Sequence, residues 1–340
     1  RNRQEYNVNV AGATEKFSAF ASAGYMKTNG YMLQTDYERY SGRIAMNAQP
    51  VNYLKLGLNV AATQSESNLS PLWDADGDPE LGYTNNPFST TLFKAPIYPY
   101  YAHDEKGNII YKDGKPEWNV ADYNNADNIG WQMREDQRYS STTQVDGSLF
   151  GTVVIPYGFE LTVKGSIYRS KANEKQYNNW YVGSQKDVGS LQAYFYDRRN
   201  HTFQQMLTWN HDYGHNHIDV LLDHENYQYK YGYTFNRKSG QQLAGMIVFD
   251  NFEEMKDLSE YGVEYNQESY LGRVRYNYDQ KYFAEASVRR DGSSRFAKED
   301  RWGTFWSVGA SWIISKEKFM QNAPWVNYLK LRAAYGSVGN

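Results

Sequence analysis

The 340-residue chain contains no cysteine. This excludes thiol nucleophiles, thiolate zinc centres, iron–sulfur clusters and the disulfide frameworks that staple small secreted domains. Long apolar runs are missing as well. None approaches the roughly 18 residues that a membrane-spanning helix needs, which rules out a helical membrane protein and leaves a barrel open. Neither sign of charge is in excess, since 36 Lys and Arg stand against 39 Asp and Glu for a net charge of −3. The basic residues are scattered, so the patch expected of a nucleic-acid binder is not there. The sequence contains no phosphate-binding glycine loop, nucleophile elbow or H-E-x-x-H motif. Carboxylate pairs can be picked from the 39 acidic residues, but none stands in a recognisable glycosidase frame. The sequence therefore reads as a non-enzyme.

Aliphatic residues are sparse. Hydrophobic residues make up 40% of the chain and mean hydropathy is −0.80, yet 16% of residues are aromatic, with 32 Tyr, 15 Phe and 9 Trp. A soluble core of this size leans on Leu, Ile and Val. Tyr-rich, glycine-bearing strands instead suit a barrel with a wet lumen and aromatic girdles at its rims. The chain starts at Arg1 rather than Met and reads as a piece or processed form of something longer.

Period-two alternation recurs along the chain. Phe159, Leu161, Val163, Gly165 and Ile167 alternate with Glu160, Thr162, Lys164 and Ser166. Leu54, Leu56, Leu58 and Val60 alternate with Lys55, Gly57 and Asn59, and Leu329, Leu331 and Ala333 with Lys330 and Arg332. Twelve strands are expected, near 3–12, 17–27, 37–48, 54–65, 139–155, 158–172, 198–212, 216–233, 263–278, 281–291, 302–314 and 327–338. Tight turns such as Pro156-Tyr157-Gly158 and Tyr278-Asp279-Gln280 mark one edge, and long segments at 66–138, 173–197, 234–262 and 292–301 the other. This is the layout of an outer-membrane barrel with its long loops outside the cell. The expected fold is all-β: an antiparallel transmembrane β-barrel wall, partial over residues 1–340, with 66–138 as a long extracellular loop insertion. A small hairpin is expected over His103 to Tyr111, and one helical turn over Lys316 to Gln321.

Specific residues carry a family likeness. Tyr270-Leu271-Gly272-Arg273-Val274-Arg275-Tyr276 leads to Arg289-Arg290-Asp291-Gly292-Ser293-Ser294-Arg295-Phe296. Trp302-Gly303-Thr304-Phe305 follows, and the stretch closes on Tyr335-Gly336-Ser337-Val338-Gly339-Asn340. In this order the segments closely resemble the barrel of SusC/RagA-type TonB-dependent transporters. The resemblance implies a 22-stranded barrel of which this is about twelve strands, with a plug domain, a TonB box and further strands outside the stretch. It also implies import of glycan oligosaccharides or peptides beneath a SusD-like surface lipoprotein, energised through TonB, in the outer membrane of a Gram-negative cell. Contacts with the lipid bilayer and lipopolysaccharide follow, as does pairing of SusCD units into dimers. A passive porin-like barrel and a soluble glycan-binding β protein are the alternatives.

Substrate contacts are expected from aromatics in the long segments, where flat rings flanked by amides suit sugar rings or peptide backbones. These are Trp73, Tyr98, Tyr100, Tyr101, Trp118, Trp131, Trp180 and Tyr181. The bland reading is that they pack the loops together. Lys164, Arg273, Arg275, Glu285 and Arg289 are expected to face the lumen, more as a cross-strand charge ladder than as a substrate guide. Asp74, Asp76 and Asp78 are a weak calcium candidate. Gly77 and Asn85 fall where an EF-hand loop would not put them, so a solvated acidic turn is the competing account. His211, His215 and His217 surround a short turn and read as solvated histidines, so no metal or other cofactor is assigned.

Overall fold

The computed structural model describes residues 2–70, 99–120, 128–183, 185–320, 323 and 325–337. Twelve strands form one sheet. They are β1 (Arg3–Ala13), β2 (Phe17–Asn29), β3 (Asp36–Val51), β4 (Leu54–Leu69), β7 (Gln137–Ile155) and β8 (Phe159–Asn178), followed by β9 (Ser190–Tyr213), β10 (Asn216–Gln241), β11 (Phe252–Tyr278), β12 (Tyr282–Ser293), β13 (Trp302–Ile313) and β14 (Lys330–Ser337). Each pairs antiparallel with the next in chain order, so the sheet is an uninterrupted meander. Between β4 and β7 lie a two-residue ribbon, β5 (Tyr111–Lys112) with β6 (Lys115–Pro116), and one helix, α1 (Ile129–Glu135).

The accessible surface is 22587 Å², against roughly 14,000 Å² for a compact soluble protein of this size. The excess arises because the sheet has no second layer. Its register decides what each face carries. Val163 aligns with Gly151 and Leu56 on one side and with Gln205 on the other, while Val274 aligns with Val220 and Ala286. Leu56, Leu58, Val163, Ile167, Val274, Val288 and Leu331 all share this face and all are exposed. An apolar band of this extent left in the open marks a surface that something apolar covers. Aromatic pairs flank it at both edges. Phe159–Trp209, Tyr278–Tyr282 and Tyr282–Trp312 lie towards the short turns; Tyr6–Tyr25, Tyr25–Tyr40 and Tyr270–Trp302 lie towards the long connections. Two girdles around an apolar band are the signature of a transmembrane barrel wall. None of the helices among the described residues is long and apolar enough to cross a membrane.

The turn chemistry matches the alternation of connections. Asp279 and Gln280 both have positive φ, 50° and 51°, as a tight primed hairpin turn requires. At Gly158, φ is +88° and a Cβ would stand 2.1 Å from the Asn210 carbonyl oxygen, so only glycine fits.

The strands run further than their sequence pattern does. β8 continues to Asn178, β9 starts at Ser190, β10 continues to Gln241 and β11 starts at Phe252. The expected loops 173–197 and 234–262 thus shrink to 179–189 and 242–251. Past the outer girdle both faces of a strand are wet, so the apolar–polar alternation that announces a strand disappears while the hydrogen-bond ladder continues. The single helical turn expected at 316–321 is instead two short 3-10 turns, Ile314–Lys316 and Lys318–Met320, with Gln321 outside the described residues.

Candidate functional site

The connection between β4 and β7 holds a built structure. Isolated bridges join Tyr101 to Trp118 and His103 to Ile109, closing a hairpin over 101–118. Asn128 caps α1: its side-chain oxygen accepts from the Trp131 amide at 3.2 Å, satisfying one of the orphan donors of the first turn. The same side chain donates to the carbonyls of Tyr100 (2.8 Å) and Asn119 (3.1 Å), which fastens helix to hairpin. Gly130 permits the close approach, since a Cβ there would stand 2.6 Å from the Tyr100 ring. Ile129 and Met133, one turn apart, are buried with Met32 of the β2–β3 connection packed against them, and the Gln34 side chain donates to the Arg134 carbonyl at 2.8 Å.

The β8–β9 connection is tied to the helix by Asp136, which is 1% exposed. It accepts from the Asn179 backbone amide at 2.7 Å, from the Asn179 side chain, and from Gln132 Nε2 at 3.1 Å. Asn179 Oδ1 in turn accepts from the amides of Tyr181 and Val182. Burial pushes the Asp136 carboxyl up to about 6, against the opposing pull of these hydrogen bonds.

This scaffold aligns five of the aromatics expected from sequence in one run of ring contacts. Tyr101 lies 4.9 Å from Trp118, Trp118 lies 6.2 Å from Trp131 at 7° between planes, and Trp131 lies 6.5 Å from Tyr181 at 24°. Trp180 meets Tyr181 edge-on at 5.9 Å. The Arg134 guanidinium sits 5.2 Å over the Trp118 ring. Tyr100 is exposed beside Gly130. Trp73 and Tyr98 lie outside the described residues, as do Asp74, Asp76 and Asp78. The ladder can offer near-parallel aromatic faces, an arrangement suited to stacking against a flat apolar ligand face.

The charges expected to form a ladder do share the face opposite the apolar band, but they pair differently. Arg275 stands in register opposite both Glu285 of β12 and Asp219 of β10; its ion pair is with Asp219 at 2.9 Å, and Arg273 approaches the same carboxylate at 3.8 Å. Asp219 was not singled out from sequence. Arg289 pairs with Asp291 of its own strand and donates to Ser269, and Lys164 lies exposed on the same face. His211 and His217 point to opposite faces. His211 stacks on Trp209 and meets Tyr213 at a tilt, His217 pairs with Asp212 at 2.7 Å, and His215 pairs with Asp279 at 3.1 Å.

Sequence reasoning also passed over a strand-borne aromatic array. Tyr227, Tyr229, Tyr231, Tyr233 and Phe235 occupy successive positions on the face of β10 that carries Asp219. β9 adds Tyr194 and Tyr196, and β11 adds Tyr261 and Tyr265, with centroid distances of 4.7 Å for Tyr194–Phe235, 5.3 Å for Tyr196–Tyr233 and 4.9 Å for both Tyr233–Tyr261 and Tyr229–Tyr265. The signal was present as Tyr at every second residue from 227 to 233.

No family model matches the chain. Over 99% of its length it is 24% identical to TonB-dependent receptor P39 of Formosa agariphila, covering 31% of that protein. Over 98% it is 22% identical to TonB-dependent receptor SusC of Bacteroides thetaiotaomicron, covering 33%. Among solved structures, the RagAB peptide importer in its open-open state superposes with a TM-score of 0.79 at 19% identity, over 98% of this chain and 36% of that one. The chain therefore spans about a third of the length of the relatives it matches. Over nearly its whole length the chain is similar to SusC- and RagA-type TonB-dependent transporters, and its twelve-stranded antiparallel meander fits a stretch of such a barrel wall.

Proposed function

We propose that the chain is part of the barrel subunit of an outer-membrane importer that takes up glycan oligosaccharides, works beside a SusD-like surface lipoprotein and is energised through TonB. The observation that carries the glycan assignment is the ladder Tyr101–Trp118–Trp131–Tyr181, rigidly held at the end of the wall where the long connections gather. Aromatic faces bind sugars through their C–H faces, and amide side chains at the edge supply hydrogen bonds. The apolar band supports a wall set in a lipid bilayer, and on this reading the ladder lies on the extracellular side.

The test is uptake by cells expressing the complete transporter with its lipoprotein. Fluorescent oligosaccharides should accumulate, accumulation should cease when TonB is removed, and Trp131→Ala should reduce it severalfold. Uptake of labelled peptides with no uptake of any glycan would overturn the assignment.

A further inference from the structure

We propose that the tyrosine strip on β9, β10 and β11, together with Arg198 and Arg295, is a lumen subsite for oligosaccharides carrying carboxylate or sulfate groups. The inference deepens the importer reading and rests on it for the sugar.

The strip lies on the face opposite the apolar band, which in a closed barrel is the lumen. There is no bulge between Asn216 and Arg237 of β10, so Tyr227, Tyr229, Tyr231 and Tyr233 keep the face of Asp219 throughout. These rings are half-buried and Tyr261 is 52% exposed, so the array is not the core of anything among the described residues. A water-facing strand gains little stability from five consecutive aromatics on one face. A ligand that slides along stacked rings gains a continuous track.

The charge pattern narrows the ligand. Other cations on the strip's face are neutralised: Arg138 by Glu174 at 2.6 Å and Arg237 by Asp257 at 3.9 Å. Arg198 and Arg295 differ. Both are exposed, neither has a carboxylate at ion-pair distance among the described residues, and each lies over a ring of the strip, Arg198 at 6.0 Å from Tyr231 and Arg295 at 3.8 Å from Tyr265. A guanidinium attracted to a ring face without a carboxylate partner keeps N–H groups for an oxyanion, which it can grip with two parallel hydrogen bonds. Glu225, two positions below the strip, is the nearest acid on the β10 face that is without a cation at ion-pair distance. Phenol faces for sugar rings and unpaired guanidinium edges for their acidic substituents make one composite surface.

The experiment titrates the purified full-length transporter with oligogalacturonate, a sulfated carrageenan oligosaccharide, maltohexaose and an Asp-rich hexapeptide, using calorimetry at low and high salt. At least one anionic sugar should bind at least about tenfold more tightly than maltohexaose, with affinity falling as salt screens the exposed guanidinium groups. Arg198→Gln and Tyr231→Ala should each weaken it about tenfold, while Tyr231→Phe, which keeps the ring, should hold near the parent value. Heat-modifiable migration in gels verifies that each variant is folded. Unchanged affinity in Arg198→Gln and Tyr231→Ala, alongside loss in Trp131→Ala, would overturn the subsite and leave glycan import standing. Equal or tighter binding of maltohexaose, or no binding of either anionic sugar, would also overturn it. Binding of the peptide alone would overturn both readings.

Discussion

Asp136 holds Asn179 through two hydrogen bonds, one from the backbone amide and one from the side chain, with the carboxylate almost wholly removed from water. The pair joins α1 to the β8–β9 connection and so fixes Trp131 relative to Tyr181. Because burial lifts the carboxyl from 3.8 to about 6, the fold favours its neutral form. That contribution is complete below the unfolded value near 3.8 and is lost as pH rises through about 6, a span worth on the order of 3 kcal/mol. Hydrogen exchange, corrected for intrinsic rates, should therefore show the Asn179 and Tyr181 amides better protected near pH 5 than above neutrality. Asp136→Asn should flatten this dependence. A flat profile in the parent protein would contradict it.

The two faces of β8 make opposite demands. Val163→Arg in the apolar band should cost about 2–4 kcal/mol if the residue sits near the bilayer midplane. Lys164→Ala on the other face should stay within about 0.5 kcal/mol. Urea unfolding of the full-length protein in lipid vesicles measures both. Equal costs would mean that the faces are assigned wrongly.

Asp219 is the acceptor shared by Arg275 and Arg273, and its side chain is 19% exposed. Its replacement by Ala leaves two guanidinium groups side by side and should destabilise by about 1–2 kcal/mol. A double-mutant cycle with Arg275, itself half exposed, should return a coupling of about 0.5–1 kcal/mol. The corresponding cycle between Arg275 and Glu285 should return less. The reverse order would show that Arg275 pairs across to β12 rather than to Asp219.

Phe150 covers Gly57 across the β4–β7 ladder so closely that a Cβ at 57 would stand 2.0 Å from its ring. Gly57→Ala must therefore displace the ring and should cost about 1–3 kcal/mol. Phe150→Leu in the same chain should return part of the loss. If the two substitutions add without interaction in vesicle unfolding, the contact is not made in the protein.

The sequence by itself determined the wall. Alternation at Leu54–Val60, Phe159–Ile167 and Leu329–Ala333 located the strands and separated the apolar face from the charged one, because a side-chain period of two leaves no freedom once one face must meet an apolar environment. It also indicated the hairpins, since their turns are local, and the ordered motifs from Tyr270 to Asn340 pointed to the family. What only the tertiary structure decided lies where that constraint lapses. Beyond the outer girdle nothing forces alternation, so the true lengths of β8 to β11 were hidden. The neighbours of Arg275 depended on register between three strands, which no single strand encodes. The ladder of Tyr101, Trp118, Trp131 and Tyr181 draws on segments up to 80 residues apart, joined by Asn128 and Asp136. The tyrosine strip, written plainly in β10, became a surface only when β9 and β11 brought Tyr196, Tyr261 and Tyr265 beside it, because a binding face is a property of adjacent strands.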